Sequence, residues 1–86
     1  MIKKLYTVYD KKGETGLAVF ESANDLVAIR DFSHIVANKS ENNMIATYPD
    51  DYCLKLLGTY DTETGVIVSD VRVIAEAVEY QGKVSN

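Results

Sequence analysis

The chain has 86 residues, of which 47% are hydrophobic and 26% charged, and its formal net charge at pH 7 is −4. This length predicts a single domain over residues 1–86, with one modest core and an ordered part at about 4–80. The acidic balance disfavours a DNA-binding protein that relies on clustered Lys and Arg, but it is compatible with a local basic groove that binds single-stranded DNA.

The single cysteine, Cys53, excludes an internal disulfide and favours a reducing compartment. The opening residues Met1–Leu5 contain no apolar run typical of a signal peptide. No stretch approaches the length of apolar residues that a membrane span requires. We therefore expect a cytoplasmic protein without a membrane association.

The first elements in chain order form a predicted hairpin followed by a helix. Leu5–Tyr9 is rich in β-branched and aromatic residues, as in a strand. The polar residues 10–16 predict a turn, and Leu17–Phe20 predicts the partner strand. Ser22 is the predicted N-cap of the helix, with Asp25 in its first turn.

Helical periodicity extends from Leu26 to about Asn38, where we expect the helix to end. The apolar positions at helical spacing are Leu26, Ile29, Phe32, Ile35 and Val36, and Val27 and Ala28 widen this stripe. They predict one buried stripe on an otherwise polar helix. The residues that follow, 39–43, are polar and aperiodic, as in a loop.

The second half predicts two further strands. Met44–Thr47 has the pattern of a short extended piece or of a loop, and Asp50 and Asp51 predict a turn or a short helical step after Pro49. Tyr52–Leu57 alternates as a strand does. Residues 61–65 predict a hairpin loop in which Gly65 adopts a positive φ.

The last strand begins at Val66–Val68, is interrupted at Ser69–Asp70 as in a bulge, and continues over Val71–Ile74. Residues 75–80 fit either a strand or a short helix, and the alternation of Val78 and Tyr80 slightly favours the strand. Residues 81–86 are expected to form a frayed tail.

These elements predict an α+β fold with an antiparallel sheet of four to five strands and one helix packed on one face, ββαββ(β). Leu54 and Leu56 fall on one face of their strand and Leu57 on the other. A single helix covers only one face. We therefore expect self-association, most simply as a homodimer.

Residues that carry enzymatic chemistry are sparse. His34 is the single histidine, so we interpret it as an exposed helix residue rather than a metal ligand. Cys53 has no adjacent base or oxyanion motif, and we interpret it as a structural thiol. The acids Asp50, Asp51, Asp61 and Glu63 fit no calcium or magnesium loop. We predict no catalytic residues, no metal site and no cofactor.

A basic and aromatic sheet face is the remaining candidate site. Lys4, Tyr6, Lys55 and Arg72 lie in strands and are predicted to share the side away from the helix. Such a face suits single-stranded nucleic acid. The alternative interpretation of the same residues is a mixed solvated face or a dimer contact.

Several motifs resemble those of one viral family. They are Tyr6-Thr7-Val8-Tyr9-Asp10, the helix residues Ala28, Arg30 and Phe32, the segment Tyr48-Pro49-Asp50-Asp51-Tyr52 with Leu54, and the segment Leu57-Gly58-Thr59-Tyr60-Asp61 closing on Thr64-Gly65. Together they resemble the small non-structural protein of gokushovirus-type microviruses, which are phages with single-stranded DNA. Val19-Phe20 departs from the Pro-Phe pair frequent in that family.

This resemblance implies a protein that is made in the host bacterial cytoplasm and absent from the mature virion. It implies a non-enzymatic role in genome replication or packaging, by binding single-stranded DNA or a viral or host replication protein. The alternative function is that of an acidic interaction protein that binds and modulates a host or viral protein. Salt-sensitive binding to oligo-dT separates the two functions.

Overall fold

The computed structural model describes residues 1–40 and 42–81, and it confirms the α+β fold. A four-stranded antiparallel sheet carries one main helix on one face. The strands are β1 (Ile2–Asp10), β2 (Thr15–Ser22), β3 (Tyr52–Asp61) and β4 (Ile67–Glu76), and the α-helices are α1 (Asp25–Ala37) and α2 (Met44–Thr47). Two short 3-10 helices, Pro49–Asp51 and Ala77–Tyr80, flank the β3–β4 hairpin.

The strand order is β2-β1-β3-β4, so that β1 and β3 are central and β2 and β4 form the edges. Tyr6 pairs with Leu56 and Val8 with Leu54 across the two central strands. Because side chains alternate along a strand, these four residues point to the same side of the sheet. That side is covered by α1.

The core lies between this side of the sheet and α1. Phe32 and Val36 of the helix are almost completely buried against Tyr6, Leu54 and their neighbours. Burial of such side chains contributes roughly 1.5–3 kcal/mol each relative to exposure. The helix therefore fixes which face of the sheet is inside.

The helix begins two residues later than predicted, since Ser22 is the last residue of β2 and pairs with Lys4. The N-cap is Asn24, whose side-chain oxygen accepts a hydrogen bond from the Val27 amide at 2.9 Å. Asn and Ser are about equally favoured as N-caps. Because Ser22 is used in strand pairing, the helix is capped at Asn24 instead. The predicted end of the helix at Asn38 is confirmed.

The predicted apolar stripe of α1 is partly wrong. Leu26 is 78% exposed and Ile35 42% exposed, whereas the helix buries Ala28, Phe32 and Val36 at a spacing of four residues. Ala28 has a short side chain, so its position allows the helix to approach the sheet closely. Residues at this spacing share one side of a helix.

Met44–Thr47 is a short helix, so the prediction of an extended piece or loop is wrong. Asn43 explains the difference. Its side-chain oxygen accepts from the Ala46 amide at 3.3 Å, and its amide group donates to the carbonyls of Ile35 and Asn38, both at 2.7 Å. One side chain thus caps α2 and attaches it to the end of α1. The helical step at Asp50 and Asp51 is confirmed.

The segment after β4 is a 3-10 helix over Ala77–Tyr80, so of the two predicted alternatives the short helix is correct and the slightly favoured strand is not. Glu76 and Glu79 form a capping box that satisfies the backbone groups at its start. Ala77 is fully buried, in the core cluster with α1 residues. The predicted frayed tail falls mostly on residues 82–86, which lie outside the described residues.

Candidate nucleic-acid interface

The four residues predicted to form a binding face do not share one. Tyr6 is completely buried beneath α1, and its hydroxyl donates a hydrogen bond to Asp25 Oδ1 at 2.7 Å. Lys4 points to the same side, with its Nζ 3.4 Å from Asp25 Oδ1. The prediction that these two residues lie on the side away from the helix is wrong, because the even-numbered positions of β1 face the helix.

Arg72 is also on the helix side of the sheet, since it pairs with the buried Leu56. Its guanidinium lies 3.3 Å from the Asp70 carboxylate. Lys55, by contrast, pairs with Thr7 on the opposite side. The prediction that Lys55 and Arg72 share a face is therefore wrong.

The contact of Tyr6 and Lys4 with Asp25 joins the sheet to the start of the helix. The hydrogen bond from Tyr6 and the nearby Lys4 ammonium lower the pKa of the Asp25 carboxyl, against a smaller opposing effect of burial. Burial and the same hydrogen bond raise the pKa of the Tyr6 hydroxyl. Both shifts favour the state in which the neutral phenol donates to the carboxylate.

Lys55 lies at the centre of the side of the sheet that none of the described helices covers, which we call the open face. Its Nζ is 3.6 Å from the centroid of the Tyr9 ring, as in a cation–π contact. Tyr9 was not predicted as a site residue. Strand alternation would have identified it, because Tyr9 and Tyr6 are three positions apart in one strand and must face opposite sides.

A second pair of a lysine and a tyrosine occurs towards the other end of the open face. Lys3 of β1 lies directly opposite Tyr60 of β3. The Lys3 ammonium also forms an ion pair with Glu21 at 2.8 Å. We name Lys3, Tyr9, Lys55 and Tyr60 together the open-face site.

The charge of the open face differs from that of the whole chain. Lys3, Lys11 and Lys55 place their ammonium groups there, and the carboxylates of Glu21 and Glu76 are paired with Lys3 and Lys11. The charges of these five side chains sum to +1, against −4 for the whole chain. Within the described residues, Lys55 has no carboxylate partner within 4 Å, so its charge is not locally neutralised.

Cys53 lies on the open face but is only 1% exposed. Burial raises the pKa of its thiol, which keeps the group protonated and a poor nucleophile. His34 is exposed on α1, as predicted. Over residues 1–40 and 42–81, no three His, Cys, Asp or Glu side chains come together in a group that could hold a metal ion.

The residues of the Tyr48–Tyr52 motif form the entry to β3. Tyr48 ends α2, Pro49 begins the 3-10 helix, and the Asp51 carbonyl accepts a hydrogen bond from the Lys11 amide at 2.7 Å. The segment therefore connects the first hairpin to the second. Among the described residues the Asp50 carboxylate forms no hydrogen bond or ion pair, but its charge helps to raise the pKa of the Lys11 ammonium.

The Gly58–Gly65 motif shapes the second hairpin. Gly58 and Gly65 both have positive φ, 147° and 80°, and the Gly65 prediction is thereby confirmed. The Asp61 carbonyl accepts from the Gly65 amide at 2.8 Å, and its carboxylate accepts from the Glu63 amide at 2.9 Å. Of this motif, only Tyr60 belongs to the open-face site.

Comparison with known proteins decides the family. The family model described as "Phage ORF5 protein" matches residues 3–80 of this chain. The chain belongs to the Phage ORF5 protein family. This membership confirms the resemblance that the hairpin motifs indicated.

The chain is similar to "Protein ORF5" of Chlamydia phage 1, a gokushovirus, with 31% identity over 62 residues. The alignment covers 70% of this chain and 65% of the relative, so a little under two-thirds of that protein is represented. No solved structure matches the chain. Among the described residues, no helix is both long enough and apolar enough to cross a membrane.

Proposed function

We propose that this phage accessory protein is non-enzymatic and binds single-stranded DNA through the open-face site during genome replication or packaging, in the cytoplasm of the host bacterium. The observation that carries the proposal is the juxtaposition of Lys55 with Tyr9 at the centre of the open face of the four-stranded sheet. Sheets that expose aromatic residues in this way are a recurrent platform for unpaired bases.

Tyr9 and Tyr60 would supply the stacking surfaces. Each is partly exposed on the open face, and each has a lysine as neighbour. A base stacked on a tyrosine displaces the lysine ammonium from the ring, and the flexible lysine stem then reaches the adjacent phosphate. Stacking on aromatic side chains contributes roughly 1–3 kcal/mol per base.

The acidic net charge is compatible with this function because the open face is locally positive by one charge. Two phosphate contacts, from Lys3 and Lys55, predict a shallow salt dependence, with a slope of log K against log salt of about −1.4. Affinity would therefore come largely from stacking. This behaviour differs from that of a basic duplex-binding protein, in which the phosphate contacts dominate.

Fluorescence anisotropy of labelled oligo-dT at low and physiological salt tests the proposal. We expect Tyr9→Leu to weaken binding at least about fivefold, as loss of one stacked base predicts, and Lys55→Glu to weaken binding as well and to flatten its salt dependence. Lys39→Glu is the matched control, since it makes the same charge change at an exposed position after α1, away from the sheet. Circular dichroism verifies that each variant is folded.

Equal affinity of Lys55→Glu and Lys39→Glu would contradict the open-face site. Absence of binding by the wild-type chain at low salt would contradict DNA binding altogether. A protein partner with a basic surface would then be the better candidate, because the excess acidic residues lie outside the open face.

A further inference from the structure

The outer edge of β4 exposes apolar side chains on both sides of the sheet. Ile67, Val68, Val71 and Val73 are 66%, 58%, 59% and 47% exposed. As an edge strand, β4 also has a row of backbone groups that no other strand among residues 1–40 and 42–81 uses. Such an edge can pair with a further strand.

The pairing of β4 with β3 fixes the sides that Arg72 and Val73 face, and the register shift between Leu56 and Gly58 leaves Asp70 and Val71 without a paired residue in β3. Arg72 lies on the helix side, and Asp70, which forms an ion pair with it, lies on the same side. Val73 pairs with Lys55 and therefore faces the open side, and alternation places Val71 there as well. Around Val71, the edge thus has charged residues on the helix side and valines on the open side.

We propose that two copies of this chain pair through their β4 strands, antiparallel and about a twofold axis at Val71, to form one eight-stranded sheet. A twofold axis that makes coplanar strands antiparallel is perpendicular to the sheet. It therefore keeps both helices on one side and makes the two open faces continuous. The partner is a second copy of the same chain, with an isologous interface.

The positions of the two charged residues select this register. With the axis at Val71, Asp70 lies opposite Arg72 of the second copy, and the same contact occurs twice. Moving the axis by one residue, to Asp70 or to Arg72, places a charge opposite its own copy. Opposite charges across paired strands stabilise them, and like charges in the same position destabilise them.

The apolar row supports the same register. Val71 lies opposite Val71 of the second copy on the open side, and Val73 lies opposite Ser69 of the second copy. These exposed side chains would lose contact with water on pairing, which is favourable for association. The intramolecular contact between Arg72 and Asp70, 3.3 Å long, would extend into a group of four alternating charges.

Sedimentation velocity of the protein alone, over a concentration series and without nucleic acid, tests the dimer. Because no DNA is present, the outcome is independent of the function proposed above. Arg72→Glu places a carboxylate opposite Asp70 of the second copy, and Asp70→Arg places two guanidinium groups opposite each other. Each substitution should raise the dimer dissociation constant at least about tenfold, since the contact occurs twice.

The double variant Asp70→Arg/Arg72→Glu restores opposite charges in this register, and we expect it to recover a dissociation constant within about threefold of the wild type. Lys39→Glu is the matched control and should leave dimerisation unchanged. A wild-type protein that is monomeric at several hundred micromolar would overturn the proposal. So would equal effects of the single and double variants.

Discussion

Gly58 marks the point at which β3 deviates from regular pairing. The register between β1 and β3 shifts next to it, and its φ of 147° is a conformation that side chains with a Cβ rarely adopt. A Cβ at this position would overlap the backbone carbonyl of Val68 in β4. The residue therefore allows the two strands of the second hairpin to approach closely.

Gly58→Ala should lower the free energy of unfolding by about 3 kcal/mol or more, because it combines backbone strain with a steric overlap. Gly65→Ala is the matched control. Its φ is 80°, but a Cβ there meets no atom within 4 Å, so the cost should be only about 1 kcal/mol. Urea unfolding of both variants measures the difference. Equal losses would show that the overlap at Val68 is relieved without cost.

At the scale of the element, the start of α1 depends on one side chain. Asn24 accepts a hydrogen bond from the Val27 amide, whereas Ser22 of β2 pairs with Lys4 of β1 and its hydroxyl forms no hydrogen bond with the described residues. Both residue types are favoured at helix starts. The strand pairing of Ser22 could not be inferred from local sequence, because it depends on the length of β1.

Asn24→Ala should therefore lower the free energy of unfolding by about 1 kcal/mol, the usual cost of losing an N-cap. Ser22→Ala should change it by less than about 0.5 kcal/mol. Chemical denaturation monitored by circular dichroism compares the two variants directly. A larger loss for Ser22→Ala would mean that the helix begins where the sequence pattern predicted.

The periodic signals of the sequence predicted the four strands and the main helix, since each depends on neighbouring residues. They failed at Met44–Thr47 and Ala77–Tyr80, where Asn43 in one case and a pair of glutamates in the other cap very short helices. Such segments are too short to show a period of their own. Their conformation follows from capping and from packing against α1.

The candidate site was only partly predictable for a related reason. Lys55 was correctly placed in a strand, but its face depends on the register between β1 and β3. In that register Lys55 lies opposite Thr7, next to the buried pair of Tyr6 and Leu56, and the pairing shifts beside Gly58. Once Tyr6 is known to face the helix, alternation assigns Tyr9 and Lys3 to the open face.

At the scale of the whole molecule, Asp25 links the sheet to the helix. Its carboxylate accepts from the Tyr6 hydroxyl at 2.7 Å and lies 3.4 Å from the Lys4 ammonium. The pKa of Asp25 is lowered in the folded protein, chiefly by the Tyr6 hydrogen bond. A lowered carboxyl pKa contributes stability that is complete above the unfolded-state value, about 3.9, and is lost as pH falls through the folded-state value.

Asp25→Asn should therefore lower the free energy of unfolding by about 0.5–1 kcal/mol at pH 7, the difference between a charged and a neutral acceptor at a site that is one-third exposed. Below about pH 4 the wild type loses this advantage, so the two stability curves should converge as the carboxylate becomes protonated. Urea unfolding at a series of pH values measures both curves. Asp31→Asn, which removes a carboxylate from the exposed side of the same helix, is the control and should show less convergence. Parallel curves for the wild type and Asp25→Asn would mean that the Asp25 charge does not stabilise the contact between sheet and helix.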